Sequence, residues 1–296
     1  MDAKKLEILL TAVDLGSFSR ASEVVGYTQS GLTHLVNSLE REIGVQLINR
    51  THNGISLTAD GEMLMPAIRD FLRANANLEN RIREVTQNAT ETIRIAAYSS
   101  MAMQWMPEIL YRFRRICPEA DVDLRMVDHA LEPFELLEQG KADVIFASRQ
   151  NYSSCEWTPL YEETMYAILP KSYPLNGRKT FPLTEFEGQE FLMPYGKFDI
   201  DVNAAFSRFG VSARIKAPHV DDETLIRMVG RGLGISMMAE LMIRGRTDDA
   251  LCVPLEPKTI RELGMGMAPS ETRPESIEKL RECVLTYIRE LKPRTV

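Results

Sequence analysis

Wound as an α-helix, residues 28–44, TQSGLTHLVNSLEREIG, carry two faces with opposite demands. Leu32, Leu35, Val36, Leu39 and Ile43 stand at i, i+3, i+4, i+7 and i+11, one apolar stripe that has to be buried. On the other side Gln29, Thr33 and Asn37 follow one another at i+4, flanked by Ser30 and His34. All five carry hydrogen-bonding groups on short or planar side chains, the set that suits base edges in a major groove, where Asn and Gln match adenine. Thr28 has the character of an N-cap, so the first turn would also offer backbone N–H groups to a phosphate. Taken alone, such a helix is most often a solvated amphipathic helix; its neighbours decide otherwise.

Upstream, Phe18, Ala21, Val24 and Val25 form a shorter stripe in SFSRASEVVG, with Ser17 or Ser19 as a start signal and Gly26 as a stop. Tyr27 and Thr28 alone separate the two helices, the tight spacing of a helix-turn-helix over Phe18 to Asn37. Leu6, Leu9, Leu10 and Val13 predict a third helix that closes a small core. Downstream, residues 45–57 read as a β-wing: Gln46 to Asn49 going up, an Asn53-Gly54 turn, and Ile55 to Leu57 coming down. Arg50, His52 and Asn53 fall beside that turn, where a wing meets the sugar-phosphate backbone.

These residues resemble a known family. From GSFSRAS through TQS, LEREIG and QLINR to LTADG, the first 65 residues are similar to the DNA-binding domain of LysR-type transcriptional regulators. Thr33 and His34 stand where that family usually has Ser and a longer polar or basic residue, and Ile48 replaces a usual Phe. The resemblance implies sequence-specific binding of double-stranded DNA at a two-fold promoter site, dimers that pair into tetramers, and RNA polymerase as a partner.

Charge does not supply the affinity. Residues 1–65 hold five basic and eight acidic side chains, a net −3, and the whole chain carries −7. So few neutralised phosphates leave little counterion release, and one head alone should bind DNA weakly. The next segment offers a way to join heads. From Thr58 a helix is predicted to about Asn88, with Leu64, Ile68, Phe71, Asn75, Leu78, Ile82 and Val85 at alternating steps of four and three. This heptad seam predicts a dimerising linker helix over 59–88, after a winged helix-turn-helix domain over 1–58.

Beyond it strands alternate with helices: IRIAAY, a helix from Trp105, VDLRMV, a helix from Pro133, DVIFAS, then MYAILP, FLMPY, helices from Asp201 and Asp222, GISMMA and a last helix from Glu275. Such alternation predicts parallel sheets covered by helices, with ligands beyond the carboxyl ends of the strands. The expected fold is α+β overall, ending in a two-lobed α/β effector-binding domain over 89–296, with lobe I at 89–162 and 266–296 and lobe II at 163–265. LLEQGKADVIFAS and LIRMVGRGLGISMMAE match the usual motifs of the LysR effector domain, which resembles the type 2 periplasmic binding fold. The resemblance places a ligand at the loop Ser99, Ser100 and Met101, and His129, Arg149, Tyr195, Lys197 and Asp221 complete the candidate set. Asp199, Asp201, Asp221, Asp222 and Glu223 would make that cleft acidic, which favours a small polar organic effector that is neutral, zwitterionic or cationic at one end, with Arg149 free for an anionic end.

Other classes find little support. GRGLG precedes a strand and lacks the GxGxxG spacing, there is no HExxH, CxxC or GxSxG, and no catalytic residue, metal site or cofactor is expected. No run approaches the roughly 18 apolar residues of a membrane span. Glu7 and Asp14 interrupt any signal-peptide core, and four scattered cysteines suit a reducing cytoplasm. A solute-binding or enzymatic α/β protein with an accessory helical head is the alternative, and it explains the residues after about 90 and nothing before them.

Overall fold

A computed structural model describes residues 2–51, 54–87, 91–128, 130–150, 155–196, 199–246, 249–269 and 273–291. The chain divides into two compact units, one built of residues 1–89 with 138–141 and the other of the remainder.

In the first unit, α1 (Ala3–Asp14), α2 (Phe18–Val25) and α3 (Gln29–Ile43) pack around Leu6, Leu9, Leu10, Phe18, Ala21, Leu32, Val36 and Leu39. Ser17 caps α2 by accepting from Arg20 N, and Thr28 caps α3 by accepting from Gly31 N at 3.1 Å. Gly26 ends α2 in the left-handed region at φ +71, which lets the chain reverse within two residues. The wing is β1 (Ile48–Thr51) paired antiparallel with β2 (Gly54–Leu57), so the rising strand starts two residues later than expected. Its entry is fixed by Glu40 on α3, whose Oε1 accepts from Leu47 N at 2.7 Å and Ile48 N at 3.1 Å. This charge-assisted pair satisfies backbone donors that the strand ladder does not.

The helix α4 (Ala59–Gln87) starts from the hydroxyl of Thr58, which accepts from Gly61 N. Its seam is shared between two duties. Met65, Ile68 and Leu72 are buried in the core of the head, with Leu64 packed beside them, whereas Phe71, Leu78 and Ile82 are exposed. The first four turns or so therefore belong to the head rather than to a free linker, because an amphipathic helix leaving a three-helix core buries its nearest apolar residues there.

The second unit begins with β3 (Glu91–Tyr98), α5 (Ser99–Gln104), α6 (Met106–Ile116), β4 (Ala120–Val127), α7 (Glu132–Glu138) and β5 (Val144–Ser148). β3 lies parallel to both β4 and β5, as strand-helix alternation predicts. The long strand β6 (Glu156–Leu169) then runs out of this lobe into the next. Lobe II adds β7 (Phe181–Pro182), β8 (Glu190–Leu192), α8 (Ile200–Phe209), β9 (Arg214–Lys216), α9 (Asp222–Gly230), β10 (Ser236–Ala239), α10 (Glu240–Ile243) and β11 (Leu251–Glu256). The chain returns through β12 (Ile260–Met267) and ends with α11 (Glu275–Glu290).

Two expectations change here. The sheet is mixed: β12 is antiparallel to both β5 and β6, and β10 and β11 are antiparallel to β6. The return to lobe I comes earlier than 266, because Leu263 and Met265 lie in the lobe I core with Trp105, Phe113 and Phe146, whereas Leu255 is still in the lobe II core with Phe186, Phe191 and Phe206. The glycines of GMGM give this strand a weak sequence pattern. A Cβ on Gly264 would sit 2.4 Å from the Trp157 ring, so the close approach of β6 and β12 requires glycine inside a strand.

Candidate functional site

Two surfaces bring chemistry-bearing side chains together. On α3, burial of Leu32, Val36 and Leu39 turns the opposite face outward, and there Gln29, Ser30, Thr33, His34 and Asn37 line one open groove. Beside it, Arg50 on β1 donates from Nη2 to Oδ1 of Asn37 and rests over the Phe18 ring at 5.1 Å. The wing arginine is thus laid on the recognition face. An amide oxygen has two lone pairs, so Asn37 keeps an acceptor site and both N–H donors for a further partner while Arg50 fixes the plane of the amide.

The second surface is a cleft between the lobes. Lobe I contributes Tyr98 and Ser99 at the junction of β3 and α5, with Val127 at the end of β4 and Asp128 and Ala130 beyond it. Lobe II contributes Pro194, Tyr195, Asp199, Asp201, Asp222 and Met242, and Arg261 of β12 closes the base. Arg261 is 7% exposed; its Nε donates to Glu163 at 2.7 Å and its Nη1 to Asp201 at 3.1 Å. Tyr195 sits at φ +59, a left-handed conformation that is costly for a non-glycine residue and persists because its N–H donates to Val220 O and that of Gly196 to Pro218 O. This places the Tyr195 hydroxyl 3.4 Å from Oδ2 of Asp222, to which it donates.

The cleft is electrostatically acidic. Four aspartates share the lining with one arginine, which Glu163 and one of those four, Asp201, already neutralise. Burial pushes the Asp222 carboxyl up to about 6; Asp128 adds to the rise, and Arg246, the Tyr195 hydroxyl and Arg261 hold it back. Burial, followed by the neighbouring Asp201, likewise raises Asp199. Burial alone would lower the Arg261 pKa, but Glu163, Asp201 and Asp199 together raise it above its ordinary value and keep it charged.

Comparison with known proteins connects these surfaces. The model of the LysR substrate binding domain matches residues 86–289, and that of the bacterial regulatory helix-turn-helix protein, lysR family, matches residues 3–62. The chain belongs to the LysR family of transcriptional regulators. It is a DNA-binding protein with an effector-binding domain, and the winged helix-turn-helix and two-lobed α/β architecture are those of the family. The regulator is similar to the DNA-binding transcriptional dual regulator OxyR of Escherichia coli K12, with 24% identity over 96% of this chain and 95% of that one. Among solved structures it shares its fold with full-length BenM, at TM-score 0.58, 21% identity and coverage of 97% and 96%. It also shares it with full-length CbnR complexed with target DNA, at TM-score 0.54, 20% identity and coverage of 97% and 100%.

The structure distributes the expected residues of this LysR-type regulator unevenly. All five recognition-face residues come together, with Arg50 among them; His52 and Asn53 lie outside the described residues. In the cleft, Ser99 and Tyr195 are in place. Ser99 to Met101 is not a loop but the first turn of α5, so Ser100 and Met101 turn into the core and are fully buried. Arg149 follows Ser148, and the alternation of a strand end sends it the other way: Ser148 points to Asp201, whereas Arg149 is exposed on Glu262 at 3.2 Å. Asp221 is the exposed N-cap of α9, accepting from Thr224 N at 2.8 Å, and its neighbour Asp222 is the one that faces inward. His129 and Lys197 lie outside the described residues. Sequence reading missed Arg261, since one basic residue on a strand gives no signal until the carboxylates that hold it are known.

Asp222 gives a measurable consequence. With its folded-state pKa raised, the carboxyl favours folding while protonated; that contribution is complete below about pH 4 and is lost as pH rises through about 6. Asp222→Asn, which never ionises, is expected to melt at nearly the parent temperature near pH 4. Above pH 6 it should be the more stable protein, by about 2–3 kcal/mol, which thermal unfolding at the two pH values checks.

Proposed function

We propose that this regulator reads a two-fold DNA site as a dimer, or a pair of dimers, and that a small polar effector held between its lobes alters that binding. The observation that carries the reading is the exposed face of α3, where five hydrogen-bonding side chains line one groove opposite the buried stripe. Gln29, Thr33 and Asn37 touch base edges, Ser30 and His34 flank them, and the N-terminus of α3 takes a phosphate. The exposed Phe71 and Leu78 on α4 support pairing through that helix. The protein acts by binding and not by turnover, in the cytoplasm, with RNA polymerase as the partner that registers its position. Among the described residues no helix is long and apolar enough to cross a membrane.

The surroundings of the four cysteines do not favour effector control through a thiol. Although one relative is a hydrogen peroxide-inducible genes activator, burial pushes the Cys155 and Cys252 thiols up to about 11 and also raises Cys117 and Cys283. Such thiols are poor nucleophiles towards peroxide.

The test is a comparison of site preference. Asn37→Ala should lose about 1–3 kcal/mol of discrimination at one base position in each half-site. Because Arg50 orients Asn37, Arg50→Ala is expected to weaken every site and also to relax preference at that same position, which a pure phosphate contact would not do. Competition titrations with singly substituted operators measure both; an Asn37→Ala protein with the parent's full preference would remove α3 from the reading.

A further inference from the structure

We infer that the effector is an organic amine whose cationic nitrogen lies against Asp222 and Asp128, with an acceptor oxygen of the same molecule on Nη2 of Arg261. The inference rests on the reading of the cleft as the effector site. Asp222 is 1% exposed; Tyr195 occupies its Oδ2, and its Oδ1 is buried with no hydrogen-bond partner among the described residues. A carboxylate oxygen in that position calls for a strong donor, and an ammonium supplies both donor and charge. At the base of the same cleft, Nη2 of Arg261 is buried and, among the described residues, without an acceptor, while Nε and Nη1 are spent on Glu163 and Asp201. Two residues that line one cleft thus each hold an unmet group, a donor and an acceptor for a bifunctional ligand.

The surrounding charge excludes the simpler alternative. A plain dicarboxylate could reach Nη2 of Arg261 but would face Asp128, Asp199, Asp201 and Asp222 across the same cleft, where among the described residues Arg261 is the one cation in the lining and Arg246 acts on Asp222 from outside it. An amine removes that repulsion and compensates Asp222, whose burial as an anion is costly. The rings of Tyr98 and Tyr195 with Val127, Pro194 and Met242 supply apolar walls for a short carbon chain between the two polar ends.

The full-length protein would be screened by thermal shift and titration calorimetry. The probes are primary, secondary and quaternary amines bearing a hydroxyl, amide or carboxylate, each paired with its nitrogen-free counterpart. Amines are expected to bind and their counterparts not to, and Asp222→Asn should weaken binding about 30-fold or more while melting no lower than the parent. The inference is overturned if no amine binds. It is also overturned if nitrogen-free carboxylates bind and Asp222→Asn leaves their affinity unchanged; should Tyr195→Ala abolish that binding, the cleft would remain the effector site with a different ligand. Ligands insensitive to both variants would remove the cleft itself.

Discussion

Leu78→Asp in the full-length protein is expected to give a monomer that binds its operator about 10²-fold or more weakly than the parent. The residue is 58% exposed on α4, in line with the exposed Phe71, after the turns whose apolar residues are buried in the head. A carboxylate there would be desolvated at the seam of a helix pair, and nothing in the isolated helix repays that cost. The consequence for DNA is large because the head is acidic: residues 1–65 carry a net −3, so a lone head gains little from counterion release and depends on a linked partner. Linking two weak modules raises affinity by roughly 10²–10⁴ through effective concentration alone. Sedimentation and operator titration of the same sample check the two halves of the expectation, and a monomer with undiminished affinity would contradict both.

The second large effect is at the base of the cleft. Arg261→Leu should destabilise the effector domain by about 3–5 kcal/mol, because it strands the fully buried Glu163 and the half-buried Asp201 without their cation. Glu163 retains Leu241 N as a donor at 2.5 Å, which is too little to hold a buried charge. For a domain of about 200 residues the loss corresponds to a fall of roughly 6–20 °C in its melting transition. Arg261→Lys is expected to recover little, since one ammonium cannot serve Glu163 and Asp201 through the two separate nitrogens that the guanidinium offers. Calorimetry of the full chain reads the transition directly, and an unchanged midpoint would show that the ion-pair cluster is dispensable.

These two regions also mark how far the sequence could be read. The head was legible because its information is local: stripes at helical spacing, Ser17 and Thr28 as caps, Gly26 as a stop and a two-residue turn determine the geometry within about 30 residues. The role of Glu40 was not, since its partners Leu47 and Ile48 become neighbours only when α3 and the wing fold together. In the effector domain the helices and most strands could be read from their patterns. The two crossovers were expected near 163 and 266, but not as strands shared by both lobes, because β6 continues through both and the glycines of β12 break the strand pattern. The cleft was legible in its chemistry and blurred in its residues. An acidic lining was expected, but whether Asp221 or Asp222 faces inward depends on one residue of helix phase, and Arg261 is brought to Asp201 across 60 positions of sequence.

Selection of DNA from a random duplex library by the full-length protein would test most directly whether paired heads read sequence through α3. A two-fold motif is expected, with half-sites separated by about one helical turn, 10–10.5 base pairs, or a multiple of it. Asn37→Ala should select a motif relaxed at one position per half-site. Recovery of unrelated sequences, or of a single half-site with the same affinity as the pair, would contradict the account.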